Sequence, residues 1–188
     1  MIDLSAQIFM EGVMMQHSQS TTNQQSQTSQ SKVRNWLMSE GWQIGEEHAP
    51  DATWVLTTND KRGRKLIIAQ PHDRTDVIVI QAGVKTSDNV RRKIGEMDEH
   101  ERRNFYFDLQ YSLLQMGVEY SGAGDPFELI VVVQKMYSDA FIRDAFIQRV
   151  IQVRNAQVIV LLKIQSLMNE SPTPPAAPLP IGFKGEKE

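Results

Sequence analysis

The sequence predicts an α+β domain: an antiparallel sheet of four to five strands with helices packed on it, in the order α-βββ-α-ββ-α, ending in a long C-terminal helix. Three observations predict it. Runs rich in β-branched residues, "ATWVLTT", "RKLIIAQ" and "TDVIVIQAGV", follow one another through the short turn-forming connections "NDKRG" and "PHDR". A second kind of segment, "RRNFYFDLQYSLLQMG", repeats apolar residues at helical spacing. The last stretch, from Ser138 to about Met168, is apolar at helical spacing along its length. Hairpin connections make the sheet antiparallel and segregate the helices from it.

In chain order, "SKVRNWLMSEGW" predicts a short helix. Val33, Trp36 and Leu37 fall at i, i+3, i+4, and Gly41 is placed to end it. "WQIGEEH" reads as a short edge strand, and the three strong strands follow as a meander. "TSDNVRRKIGEM" opens a helical region. "DEHE" has the form of a capping box, with Asp98 as N-cap and Glu101 at N3. In the helix after it, Phe105, Leu109, Leu113 and Met116 share a stripe, and Gly117 closes it. "VEYSGAGD" gives a weak strand and a glycine turn, and "PFELIVVVQKM" the most apolar strand. Ser138 or Asp139 is expected to cap the last helix.

Both ends look unlike the middle. Residues 16–31, "QHSQSTTNQQSQTSQS", hold no Lys, Arg, Asp or Glu and no aliphatic residue. They cannot bury enough area to offset ordering entropy, so residues 1–31 are expected to be a disordered Gln/Ser/Thr-rich segment. Its apolar start, "MIDLSAQIFMEGVMMQ", lacks the basic region of a secretory signal. Either translation begins at Met10, Met14 or Met15, or this is a short amphipathic anchor or docking helix. Five prolines from Pro172 to Pro180 predict an extended, disordered tail over 171–188. "PTPP" and "PLP" are compatible with docking in an aromatic groove. A single domain is expected over 32–170.

Composition excludes several functions. The formal net charge of −3 gives no bulk attraction to nucleic acid or acidic lipid. The absence of cysteine removes disulfides, thiolate catalysis and Cys-ligated metals. It fits a reducing compartment, and a cytoplasmic location is expected. No run approaches the ~18 apolar residues of a membrane span. His17, His48, His72 and His100 are scattered without the i, i+4 spacing of a metal pair. "SGAGD" lacks the phosphate-loop pattern and precedes a strand, so it reads as a turn. The carboxylates Glu96, Asp98, Glu99 and Glu101 alternate with Arg91, Arg92, Lys93, Arg102 and Arg103 as a self-compensating helix entry. No catalytic residue, cofactor or metal site is expected.

Element order across 32–168 resembles the type III secretion chaperone-like fold, shared by small dimeric chaperones and sensory-regulator-like domains. "VRNWLMSEGWQI" leading into "DATWVLTT" also resembles the opening of a prokaryotic family of unknown function with this topology. The resemblance implies a protein-binding, chaperone- or adaptor-like role and supplies no functional residues to carry over.

The apolar surplus points the same way. "KLIIA", "VIVI" and "LIVVV" are apolar on both faces, so both faces of the sheet are expected to need cover. The last helix, taken from Ser138 to Met168, would span about 46 Å. It should overhang its sheet at "VIVLLKI". It also carries two stripes: Phe146, Val150, Val153, Val160 and Ile164, and Ile147, Ile151, Val158 and Leu162. We therefore expect self-association, as a homodimer or with a protein partner, through Val153, Val158, Leu161, Leu162 and Ile164. The rivals are an extra strand over 157–165 and a membrane-surface helix. The alternative function is nucleic-acid binding by Lys61, Arg62, Arg64 and Lys65 at a hairpin tip, joined by residues 91–93. No aromatic stacking pair flanks either cluster.

Overall fold

The chain was described with a computed structural model, which covers residues 29–59 and 62–169. The elements are α1 (29–39), β1 (Gln43–Glu47), β2 (Ala52–Asn59), β3 (Lys65–Pro71), β4 (Val77–Lys85), α2 (Asp88–Glu96), α3 (Glu99–Gln115), β5 (Glu119–Ser121), β6 (Leu129–Tyr137) and α4 (Arg143–Asn169). A 3-10 turn at Ser138–Ala140 precedes α4. The six strands form one antiparallel sheet in the order β1-β2-β3-β4-β6-β5. The predicted α+β architecture is present. The edge strands β1 and β5 bring the sheet to six, and residues 88–96 form a helix of their own.

Strand parity decides where the core lies, because successive side chains point to opposite faces. Leu56, Ile68, Ile80 and Gln134 stand in register on one face. Val55, Ala69, Val79 and Lys135 stand in register on the other. Every helix packs on the first face. Val33 and Leu37 of α1, Val90 and Ile94 of α2, and Leu109 and Leu113 of α3 join Leu56, Ile68 and Ile80 in one core. From α4, Phe146, Val150, Val153, Ala156, Val160 and Leu167 complete it. Val55 and Val77 are buried but lie outside this cluster. Both faces were expected to need cover; among the described residues, the second face carries no helix.

Local chemistry explains the boundaries. The capping box at α3 is complete: the Asp98 side chain accepts from Glu101 N at 2.8 Å, and Glu101 accepts in return from Asp98 N at 3.3 Å. Gly117, at φ 65°, takes the left-handed conformation that ends α3. The loop from β5 to β6 is tied to α3. The Tyr106 hydroxyl donates to Asp125 Oδ1 at 2.6 Å, Gln110 Nε2 donates to the Ala123 carbonyl at 2.7 Å, and Phe127 packs against Phe105 and Tyr106. Burial first, then the bond to Asp125, push the Tyr106 phenol well above its ordinary pKa.

The last helix starts later than expected. Ser138 and Asp139 belong to the 3-10 turn, and Phe141, at ψ 77°, leaves helical geometry before α4 begins at Arg143. With 27 residues, α4 is about 40 Å long. Val158–Ile164 is helical, which removes the rival strand. The expected overhang is corrected as well. Gln157 Nε2 donates to the carbonyls of Gly83 at 3.2 Å and Lys65 at 3.5 Å, near where the β3–β4 ladder ends at Ile67 and Gln81. Beyond it Val160 and Leu167 are still buried, and Lys163 pairs with Asp108 of α3. The inner side of "VIVLLKI" is thus buried in the chain's own core, beside α3.

Residues 29–31, part of the segment expected to be linker, are helical and belong to α1. The expected docking or anchor helix, His17 and the rest of that linker lie outside the described residues, as does the proline-rich tail.

Two outcomes follow. Gly122 has φ 72°, and a Cβ there would lie 1.9 Å from the Leu129 carbonyl oxygen. Gly122→Ala should therefore cost about 3 kcal/mol or more in urea denaturation, and an unchanged midpoint would refute the close approach. The raised Tyr106 pKa contributes stability that is intact below the unfolded phenol's value of about 10. That contribution is lost as pH rises above it. The wild-type urea midpoint should fall between pH 9 and pH 11, with a smaller fall in Tyr106→Phe.

Candidate protein interface

The structure separates the expected interface residues. Val153 is 0 % exposed and belongs to the chain's own core, so it is not available to a partner. Its place on the stripe with Phe146, Val150 and Val160 aims it at the sheet. Ile164 is half-buried and packs against the same core. Val158 is half-buried, Leu161 lies at the border of exposure, and Leu162 is 57 % exposed.

Leu162 falls on the stripe with Ile147, Ile151 and Val158; helical geometry turns Ile151, Val158 and Leu162 away from the sheet, while Ile147 packs at the edge of the core. Ile151 is exposed, and Ile147 and Val158 are half-buried. α3 carries a matching stripe that the sequence reading missed. Phe107, Tyr111 and Leu114 are 67 %, 52 % and 63 % exposed. The rings of Phe107 and Tyr111 stack at 6.1 Å. The i, i+4, i+7 spacing opposite Leu109 and Leu113 was the available signal. The Asp108–Lys163 pair ties the two helices side by side, so both stripes lie on the outer surface of one helical layer.

The second apolar surface is the uncovered sheet face. Register places Val55, Ala69 and Val79 in one row and Ile67, Gln81 and Val133 in the next. Val131 follows, with Tyr137 and Leu129 exposed toward the two ends of β6. Charged pairs border it: Lys65 with Glu47, and Lys135 Nζ with Glu119 at 2.6 Å. The Glu119 partnership raises the Lys135 pKa.

The alternative nucleic-acid cluster is only partly assembled. Lys61 lies outside the described residues. Arg62 is exposed and Arg64 half-buried. Lys65 is engaged by Glu47 across the β1–β2 edge. Arg91 pairs with Asp88, and Arg92 with Glu96 at 3.9 Å. Most of the mapped basic charge is thus locally neutralised. His48 and His100 are exposed, and His72 Nδ1 lies 3.2 Å from Thr53 Oγ1. Among the described residues, no group of three or more His, Cys, Asp or Glu could hold a metal, and no helix is long and apolar enough to cross a membrane.

Fold and surface define the protein's class: a two-layer α+β protein with its helices on one side of a six-stranded sheet. The chain belongs to the family described as "Uncharacterized conserved protein (DUF2299)", which matches residues 29–164. Among solved structures it is similar to an uncharacterized protein from Methanothermobacter thermautotrophicus, at 23% identity and a TM-score of 0.68. That match covers 73% of this chain and 97% of the other. It is also similar to YbjN from E. coli, at 13% identity and a TM-score of 0.37, covering 72% of this chain and 88% of that one. The first likeness shows the fold; the second is too distant to carry an argument. No curated protein matches.

The geometry separates core from surface on one helix. Val153→Ala should cost about 2 kcal/mol or more, as core truncations do. Leu162→Ala should change monomer stability by no more than about 0.5 kcal/mol. Equal costs by chemical denaturation at submicromolar protein would contradict this placement.

Proposed function

We propose that this is a protein-binding module of the chaperone or adaptor kind, not an enzyme, and that it self-associates through the outer face of α4 with α3 beside it. One observation carries the reading: two adjacent helices turn apolar stripes away from the core, Phe107, Tyr111 and Leu114 on one and Ile151, Val158 and Leu162 on the other. Burying such side chains would contribute about 1.5–3 kcal/mol each, and aromatic residues are enriched where interfaces bury their centres. The resemblance of the element order to dimeric type III secretion chaperones supports the same reading. The nucleic-acid alternative has no comparable support, because its basic residues are largely paired.

Sedimentation velocity at micromolar concentration tests it. The wild-type chain should sediment as a dimer, and Leu162→Glu or Phe107→Glu should weaken association at least tenfold, about 1.4 kcal/mol, while retaining the circular dichroism of the fold. A clean wild-type monomer would sink the self-association.

A further inference from the structure

We propose that the uncovered sheet face is the docking site of the chain's own N-terminal segment, residues 2–15. The face needs an occupant. Ile67, Ala69, Val79, Val131 and Val133 share it half-buried, beside a buried Val55; among the described residues every helix packs on the opposite side, and the bordering charges are paired with one another. An apolar centre with a neutralised charged rim is the anatomy of a binding surface.

Ser29 marks one end of the link between the segment and the described fold. The Ser29 hydroxyl lies 3.5 Å from Gln70 Oε1, at the end of β3 next to the turn into β4. Gln70 is itself held there by Trp54 Nε1 at 2.9 Å and by its own donation to the Thr75 carbonyl at 2.6 Å. Pro71, Val77 and Tyr137 stand at this same end on the open face. Residues 16–28 form the tether. Its polar, uncharged composition offers nothing to dock, and 13 residues reach at most about 45 Å. Stacked layers lie only about 10 Å apart, so the far side of the sheet is within reach.

The segment's composition fits the face. Residues 2–15 carry Ile2, Leu4, Ile8, Phe9, Met10, Val13, Met14 and Met15. Helical spacing would gather Ile2, Ala6, Phe9, Met10 and Val13 on one side, with Glu11 opposite. Such a helix is about 21 Å long, shorter than the roughly 30 Å of β4, so it fits along the central strands. The C-terminal tail is the poorer occupant. Among and after its prolines it offers only Leu179, Ile181 and Phe183 as large apolar groups. A short tether raises the local concentration of the segment to the order of millimolar, which favours cover in cis over capture of a second copy.

The absence of native cysteine allows a direct test in the full chain. Phe9→Cys is combined with Ala69→Cys, a small change at the centre of the face, and separately with Val133→Cys in case one variant misfolds. Leu162→Cys on the outer helical face and Phe183→Cys on the tail supply the control pairs. Under mild oxidation at low micromolar protein, 9/69 and 9/133 should close intrachain disulfides at least tenfold faster than 9/162 or 183/69. The proposal is overturned by equal rates in all pairs, by faster closure from position 183, or by mainly interchain bonds at position 69 or 133. The last result would assign the face to a second copy. A folded protein in which neither 9/69 nor 9/133 closes an intrachain bond also overturns it.

Discussion

The stripe of Phe146, Val150, Val153, Val160 and Leu167 on α4 holds the architecture together, because it seals β4 and β6 against the helical layer. Burial of each such side chain contributes about 1.5–3 kcal/mol. Together they rival the 5–15 kcal/mol net stability typical of a whole domain. The stripe also dictates which groups must be satisfied in place. Gln157 sits within it, and its amide donates to the Gly83 and Lys65 carbonyls near the point where β3 and β4 stop pairing. Serving two backbone acceptors offsets part of the cost of burying this amide, whose Oε1 has no hydrogen-bond partner among the described residues. Arg149, alongside, donates to Gln134, whose own amide donates to the Gly117 carbonyl just past α3. A polar chain thus links α4, β6 and the end of α3 inside the layer.

Placing α4 on one face has a cost on the other. The strands were built for burial on both sides, with Val55, Ile67, Val79, Val131 and Val133 opposite the core. Among the described residues, a one-sided helical layer leaves that second set without a helix. The outer helical surface differs in kind. Its apolar residues stand apart on two convex cylinders, whereas those on the sheet lie in adjacent rows of neighbouring strands. A convex striped surface suits a matching pair of helices, as in helix–helix packing. Adjacent rows of β-branched side chains suit a single element laid along them.

Much of this was legible in the residues, and the reasons are local. β-branched runs marked β2, β3, β4 and β6, and Asp98 with Glu101 marked the start of α3. Gly117 marked its end, through the left-handed conformation it adopts. Two α4 stripes were also readable, since helical spacing alone groups side chains by face. What could not be read was which stripe meets the sheet at which point. Val153 looked available because spacing carries no information on partners; it is core because β4 and β6 lie beneath it. Ser138 and Asp139 looked like caps because their side chains suit that role. The turn they enter is 3-10, and Phe141 breaks the path before α4 begins.

The same limit explains the basic hairpin and the missed aromatic stripe. Lys65 reads as a free cation in sequence, yet Glu47 neutralises it from a strand 18 residues away. Phe107, Tyr111 and Leu114 read as spare apolar residues on a helix already assigned its inward stripe. Only the packing of α3 beside α4, fixed by Asp108 and Lys163, turns them into part of a shared surface. Charge that sequence leaves exposed is absorbed by pairing across elements. Apolar area that sequence leaves ambiguous is divided by the sheet into core on one side and candidate binding surface on the other. For this chain, the side of the sheet on which a residue falls is therefore the first question to ask of any proposed functional position.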